Sequence, residues 1–230
     1  MKILSIDTTN RDINIALSYN GKVFSIEKGV QTNDYESIVS LIRTILKKSK
    51  LNIKQIDYFG VCTGPGSFTG IRIGLSAVKA LAYSMKKPLI GYNSLDLIAE
   101  TVKGEFSGIL CVMQDARRNN IYSAVYNNCR GFSRITPYLL GDVIQLLKRL
   151  RELNKKNSNV YFYGDMILHY KDDIRKYFPH STMLPPKDGN SKSQAMISLI
   201  SDNLKQKCNS FRLLPFYMYP KDCQVGKIKK

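Results

Sequence analysis

Val61-Cys62-Thr63-Gly64-Pro65-Gly66-Ser67-Phe68-Thr69-Gly70-Ile71-Arg72-Ile73-Gly74 is the stretch whose residue types and spacing come closest to chemistry. An apolar strand empties into a glycine-rich loop, and the loop opens a helix. Free backbone N–H groups at such a helix start suit anions. The loop lacks the Gly-Lys-Ser/Thr ending of a P-loop, and Thr69 stands where a dinucleotide fingerprint needs its third glycine. The alternative use for the glycines is close approach of the helix to another helix. A second candidate is Asp7-Thr8-Thr9 at a strand end, where a carboxylate and two hydroxyls can meet metal-bound phosphate or simply satisfy a turn. Asp115-Ala116-Arg117-Arg118 holds the corresponding place in the second half, with Asp115 either pairing with an arginine or steadying a hairpin turn. Metal chemistry is poorly served. The two histidines, His169 and His180, are eleven residues apart, and no HxxxH or HExxH occurs. No Gly-x-Ser-x-Gly elbow supports a serine nucleophile.

The elements that would position these residues read as α/β. Lys2 to Asp7, Asp12 to Tyr19 and Lys22 to Glu27 are strands, the second alternating at period two and the last two joined by the hairpin dipeptide Asn20-Gly21. A first helix spans about Asp34 to Lys48, capped by Asn33 with Glu36 in capping-box position. Its two apolar stripes, Tyr35, Val39, Ile42, Leu46 and Ile38, Leu41, Ile45, are together wider than one packing face requires. Ile56 to Cys62 is a strand. The second helix, from about Thr69 to Lys86, has one narrow polar line, Arg72, Ser76, Lys79 and Tyr83, and a side of small residues. Leu89 to Tyr92 is a strand and Ser94 to Val102 a helix. The second half repeats the plan: strands at Gly108 to Gln114 and Ile121 to Tyr126, a helix at Asp142 to Glu152, a strand at Val160 to Tyr163, and helices at Met166 to Tyr177 and Ser193 to Lys207. Two lobes follow, 1–104 and 105–230, with the last helix packing back on the first lobe and an extended tail from about 215. The chain of 230 residues carries a net charge of +17, which favours polyanions but is spread along the sequence. Five cysteines without a CxxC pair suggest reduced thiols in a cytoplasm.

The central glycine motif, with the opening Ile3-Leu4-Ser5-Ile6-Asp7-Thr8-Thr9 and the later Asp115-Ala116-Arg117-Arg118-Asn119-Asn120-Ile121-Tyr122, resembles the TsaB (YeaZ) family in order and spacing. Tyr163-Gly164-Asp165 and Pro215-Phe216-Tyr217 extend the match more loosely. The resemblance implies a two-lobed ASKHA fold, the architecture of actin, Hsp70 and sugar kinases. It also implies a supporting role in making threonylcarbamoyladenosine (t6A) beside the tRNA anticodon. The catalyst is then the paralogue TsaD, which holds a metal through HxxxH, and the ATPase TsaE joins the pair. By the same resemblance the TsaD contact runs through the first two long helices, here Tyr35, Ile38, Val39, Ile42, Gly70, Ile73, Gly74, Ala77, Val78 and Leu81. A homodimer through the same helices is the expectation when TsaD is missing, with tRNA met through the complex, no membrane, no metal and no cofactor. A histidine common near the first helix in that family is replaced by Asn33-Asp34-Tyr35-Glu36. Two other readings stand beside this one: an autonomous ASKHA-type ATP-binding enzyme using Asp7, Thr8 and Thr9, and a peptidase, suggested by the glycoprotease label of related proteins.

Overall fold

In the computed structural model, which describes residues 1–29, 37–129, 131–154, 158–206 and 212–219, the first three strands form an antiparallel meander. Strand β1 (Ile3–Asp7) pairs with β2 (Asp12–Tyr19), and β2 with β3 (Lys22–Gly29). Asn20 and Gly21 both take positive φ, 50° and 72°, as a two-residue turn matched to strand twist requires. Helix α1 (Ser37–Ser49) leads to β4 (Tyr58–Cys62), which lies parallel to β1. Helix α2 (Phe68–Ser84) then crosses to β5 (Leu89–Tyr92), parallel to β4, and α3 (Ser94–Glu100) follows. The strand order is β3-β2-β1-β4-β5.

Period-two alternation sorts this sheet's side chains onto two faces. Leu4, Ile6, Ile13, Ile15, Phe59 and Val61 share one core with Ile38, Ile42 and Ile45 of α1 and Leu75 and Val78 of α2. Ile3, Ala16, Cys62, Ile90 and Tyr92 point the other way. They pack with Leu97 of α3 and with Ala195, Met196, Ile197 and Ile200. Those last four residues belong to the final helix, Gly189–Asp202, so the first unit comprises Met1–Gly104 and Pro186–Pro215. The fit is close: a Cβ on Gly60 of β4 would overlap the Ile200 side chain.

The second unit, Glu105–Pro185 with Phe216–Lys230, is built on the same plan. Strand β6 (Ile109–Asp115) pairs antiparallel with β7 (Ile121–Asn127), which also carries the short strands β8 (Ser133–Arg134) and β9 (Leu139–Gly141). Helix α4 (Val143–Leu153) crosses to β10 (Val160–Tyr163), parallel to β6. Helix α5 (Lys171–Tyr177) leads to β11 (Thr182–Met183), parallel to β10. Cys111, Met113, Val125, Leu147, Leu150, Phe162 and Ile174 fill the core between this sheet and its helices.

Two helices depart from the sequence expectation. The segment expected to be helical from Met166 becomes α5 only at Lys171. Gly164 sits at φ 134°, and Asp165 is tied to β6 by accepting Asp115 N–H at 3.0 Å, so the chain runs in turns up to Tyr170. The last helix, hereafter α6, starts four residues before Ser193. Asp188 caps it by accepting Ser191 N–H at 2.9 Å. The expected Asn33–Glu36 cap of α1 lies outside the described residues. Among the described residues, no helix is long and apolar enough to cross a membrane.

Candidate functional site

Asp7 ends β1 and is fully buried, opposite Asn14 of β2 in the ladder. Both carboxylate oxygens are engaged. Oδ1 accepts the Thr9 backbone N–H at 2.9 Å and the Thr9 hydroxyl at 2.6 Å. Oδ2 lies 2.9 Å from Lys192 Nζ, an ion pair that is not aligned as a hydrogen bond. Lys192 enters from the first turn of α6. With its amide turned to satisfy both ends, Asn14 accepts from Lys192 Nζ at 3.0 Å and donates to Glu27 Oε1 at 3.3 Å. Burial pushes the Asp7 carboxyl up, but the Lys192 ammonium and the Thr9 hydrogen bonds outweigh it and hold it below the usual carboxylate range. Burial works against the Lys192 ammonium in turn, and the Asp7 charge more than offsets it, so its pKa rises. Both groups are therefore charged at neutral pH. Burial, and then the Asp7 charge, push the nearby Cys62 thiol well up, which leaves it inert.

The glycine loop wraps the same turn. Ser67 N–H donates to Thr9 O at 2.7 Å, and a Cβ on Gly66 would overlap that oxygen. Thr8 Oγ1 donates to Gly70 O at 2.6 Å. A Cβ on Gly70 would meet the Thr8 carbonyl oxygen, and one on Gly74 would meet Thr8 Oγ1. Ser67 caps α2 by accepting Gly70 N–H at 3.1 Å. Gly66, Gly70 and Gly74 thus admit the Thr8–Thr9 turn of the same chain.

The residues expected on the partner face differ in exposure. Gly70 and Gly74 face inward. Ile38, Ile42 and Val78 lie in the core of the first unit at 5% exposure or less, because half of α1's wide apolar arc is consumed by the sheet beneath it. Ile73, Ala77 and Leu81 are half-buried at the rim of that core, and Val39 is 57% exposed. Tyr35 lies outside the described residues. The outward surface of α2 also presents Tyr83, 62% exposed, which the apolar pattern had placed on the polar line. Of that line, Arg72 stacks 3.7 Å from the Phe68 ring centroid and Lys79 donates to Leu213 O at 2.9 Å.

In the second unit Asp115 does both things expected of it. Its Oδ1 accepts Arg117 N–H at 2.7 Å, and its Oδ2 pairs with Arg117 at 3.2 Å. The turn that follows is unusual: Arg117, Arg118 and Asn119 take φ of 66°, 55° and 59°. Each non-glycine residue in this left-handed region costs on the order of 1 kcal/mol. Tyr219 OH holds the turn by donating to Ala116 O at 2.9 Å while its ring meets Tyr122 edge to face. Burial raises the Tyr122 hydroxyl to about 12. The histidines are not set as ligands: His169 lies against Tyr170, and His180 lines an open cleft with Arg151 and Tyr177. Among the described residues, no group of three or more His, Cys, Asp and Glu side chains is placed to hold a metal.

Lys192 is the residue that sequence reasoning missed. The signal was present: Lys192, Met196 and Ile200 are four apart on one helix face, and the latter two are fully buried. A lysine in line with buried positions needs a buried anion.

Comparison with known proteins places this geometry. A family model described as TsaD, tRNA N6-adenosine threonylcarbamoyltransferase, matches residues 28–166. The tRNA threonylcarbamoyladenosine biosynthesis protein TsaB of Bacillus subtilis (strain 168) is 30% identical over 175 residues, 74% of this chain and 73% of that protein. A solved Pseudomonas aeruginosa structure, described as an uncharacterized protein with similarity to peptidase YeaZ, superposes with a TM-score of 0.77 at 16% identity, covering 95% of this chain and 99% of that one. A ROK family protein from Streptococcus pneumoniae TIGR4, solved with sucrose, superposes at 0.51 and 12% identity over 89% of this chain and 100% of its own. At these identities the two structures speak for the fold alone, an α/β architecture of the ASKHA type.

Proposed function

The chain belongs to the TsaB (YeaZ) family of tRNA threonylcarbamoyladenosine biosynthesis proteins, and from that membership we propose that it is the non-catalytic subunit of a t6A-forming complex. It binds the catalytic paralogue TsaD and supports transfer of the threonylcarbamoyl group to the adenosine beside the anticodon. The observation that carries the non-catalytic part is the Asp7–Lys192 pair, at 2.9 Å and with Asp7 fully buried. An ATP-using ASKHA enzyme would need that carboxylate for metal-bound phosphate. Here one oxygen is held by Thr9 and the other faces the chain's own ammonium, so the residues present do not fit a magnesium–phosphate group. Positive charge is already resident where the cation would sit, and a second cation would meet direct repulsion. The autonomous ATP-binding reading is the weaker one for that reason.

The partner surface we propose is the outward side of α1 and α2, with Val39 and Tyr83 as exposed anchors and Ile73, Ala77 and Leu81 at the rim. An exposed aromatic and an exposed valine with half-buried apolar residues at their rim suit a packed helix pair. The same surface is available for self-association when TsaD is missing. TsaE and tRNA join through the assembled complex, and the setting is the cytoplasm. Reconstitution tests the proposal. TsaD, TsaE, threonylcarbamoyl-adenylate and unmodified tRNA are combined with and without this chain, and t6A is read by nucleoside mass spectrometry. Product is expected when this chain is present with TsaD and not from this chain alone. Product from this chain without TsaD would overturn the reading.

A further inference from the structure

The left-handed turn of the second unit is built with the wrong residues for its backbone. Positions with positive φ are the ordinary home of glycine and asparagine, because a larger side chain crowds the following carbonyl. Asn119 obeys that preference. Arg117 and Arg118, at φ 66° and 55°, do not. Arg117 is explained from within, since its guanidinium and its backbone N–H both serve Asp115. Arg118 is not. It is exposed, and neither its guanidinium nor its backbone N–H has a partner among the described residues; the Asn119 N–H has none either. Its only bond in the turn is a carbonyl accepting from Asn120 Nδ2 at 3.3 Å, which any residue would supply. The turn is nonetheless firmly held. Ala116 N–H donates to Asn120 O at 3.1 Å, Asn120 N–H to Arg117 O at 3.0 Å, and Tyr219 clamps the Ala116 carbonyl from the far side. Lys50 and Lys86 also take positive φ, 55° and 51°, but each follows a helix end and returns its N–H to that helix, to Lys47 O and Tyr83 O. Arg118 has no such return, and strain kept at an exposed, over-determined site points outward to a ligand.

The chemistry of that ligand follows from what is offered. Arg117 neutralises Asp115, so the uncompensated charge is that of Arg118. A guanidinium in a turn with two backbone N–H groups unpartnered among the described residues suits a phosphate oxygen cluster. The chain's cations are mostly lysine, so a general drift toward lysine does not account for two arginines in this turn. The net charge of +17 draws polyanions toward the whole surface. We propose that Arg118, presented by the rigid Asp115–Asn120 turn, contacts a backbone phosphate of the tRNA; this rests on the t6A reading above.

The test uses the full chain assembled with TsaD, unmodified tRNA labelled for fluorescence anisotropy, and potassium chloride from 50 to 200 mM, with Arg118→Gly and Arg118→Lys complexes beside the wild type. Glycine accepts φ 55° without strain, so Arg118→Gly should melt no lower than wild type while binding tRNA roughly three- to fivefold more weakly at 0.1 M salt. The slope of log affinity against log salt should flatten by about 0.7–0.9, the signature of one lost phosphate contact, and Arg118→Lys should restore it. Unchanged slope and affinity in Arg118→Gly, absence of tRNA binding by the wild type, or a lower melting temperature in Arg118→Gly would each overturn the proposal. Scoring t6A in the same preparations separates the two levels. A wild-type chain that supports t6A while Arg118→Gly binds normally sinks this contact alone; one that fails to support t6A sinks the reading beneath it.

Discussion

Replacing Lys192 with Met roughly keeps the length of the side chain but strands Asp7. The carboxylate would keep its two Thr9 hydrogen bonds and lose the charge that makes burial tolerable. Removing one partner of a buried pair costs about 3–5 kcal/mol. For a chain of this size that is a fall of roughly 6–20 °C in melting temperature. Replacing both members, Asp7→Asn with Lys192→Met, should recover most of the loss, to within about 1–2 kcal/mol of wild type. The asparagine oxygen can still accept from Thr9. Urea unfolding followed by circular dichroism at pH 7 provides the cycle. A pH series adds a check. With the ammonium gone, only the Thr9 hydrogen bonds still oppose burial at Asp7 and its pKa moves up, so the Lys192→Met deficit should shrink as the pH falls toward 4. A single-variant cost below about 1 kcal/mol, or a double variant worse than either single, would refute the resident ion pair.

Four shorter expectations follow. In the wild type, Asp7 is depressed and Lys192 raised, so the pair's contribution is complete between the ordinary carboxylate and lysine values, about 4 and 10.4. It is lost as pH falls through the lowered Asp7 pKa below that window or rises through the raised Lys192 pKa above it, and melting curves across pH 2–12 should show both edges. Gly74→Ala should destabilise by about 1–3 kcal/mol, although alanine favours helix, because the methyl must displace Thr8 Oγ1; Gly104→Ala, with open space around it, is the control in the same urea melts. Val39→Glu combined with Tyr83→Ala should leave the melting temperature within a degree or two and abolish co-purification with TsaD, and unaltered co-purification would remove the proposed face. Among the described cysteines, Cys129 should react with a thiol reagent in the native protein while buried Cys62 and Cys111 stay protected until unfolding.

What was legible in the sequence was what local patterning controls. The alternation of Ile13, Ile15 and Leu17 and the Asn20-Gly21 dipeptide specify β2 and its turn residue by residue, and β5 and β10 fall where their apolar runs end. Strands β8, β9 and β11 are two or three residues long, too short for any period to register, and exist because a neighbouring edge pairs with them. The glycines of α2 announced a close approach but not its partner. Thr8 is some sixty residues away, and only the β1–β4 pairing brings its turn to the helix. The same limit hid Lys192. Nothing local joins it to Asp7; the pairing arises because α6 returns to the open face of the first sheet. The left-handed turn was hidden for the opposite reason, since arginines argue against positive φ and local propensity there is overruled by Tyr219 and Asp115.

In the proposed function Asp7 is structural and the chemistry belongs to TsaD. The direct measurement is the t6A content of tRNA, by nucleoside mass spectrometry, in cells whose own TsaB is replaced by the Asp7→Asn, Lys192→Met double variant of this chain. A folded double variant should support the same t6A level as the wild-type chain. Loss of t6A from a double variant that remains folded and bound to TsaD would mean that Asp7 takes part in the reaction, and the account would fail.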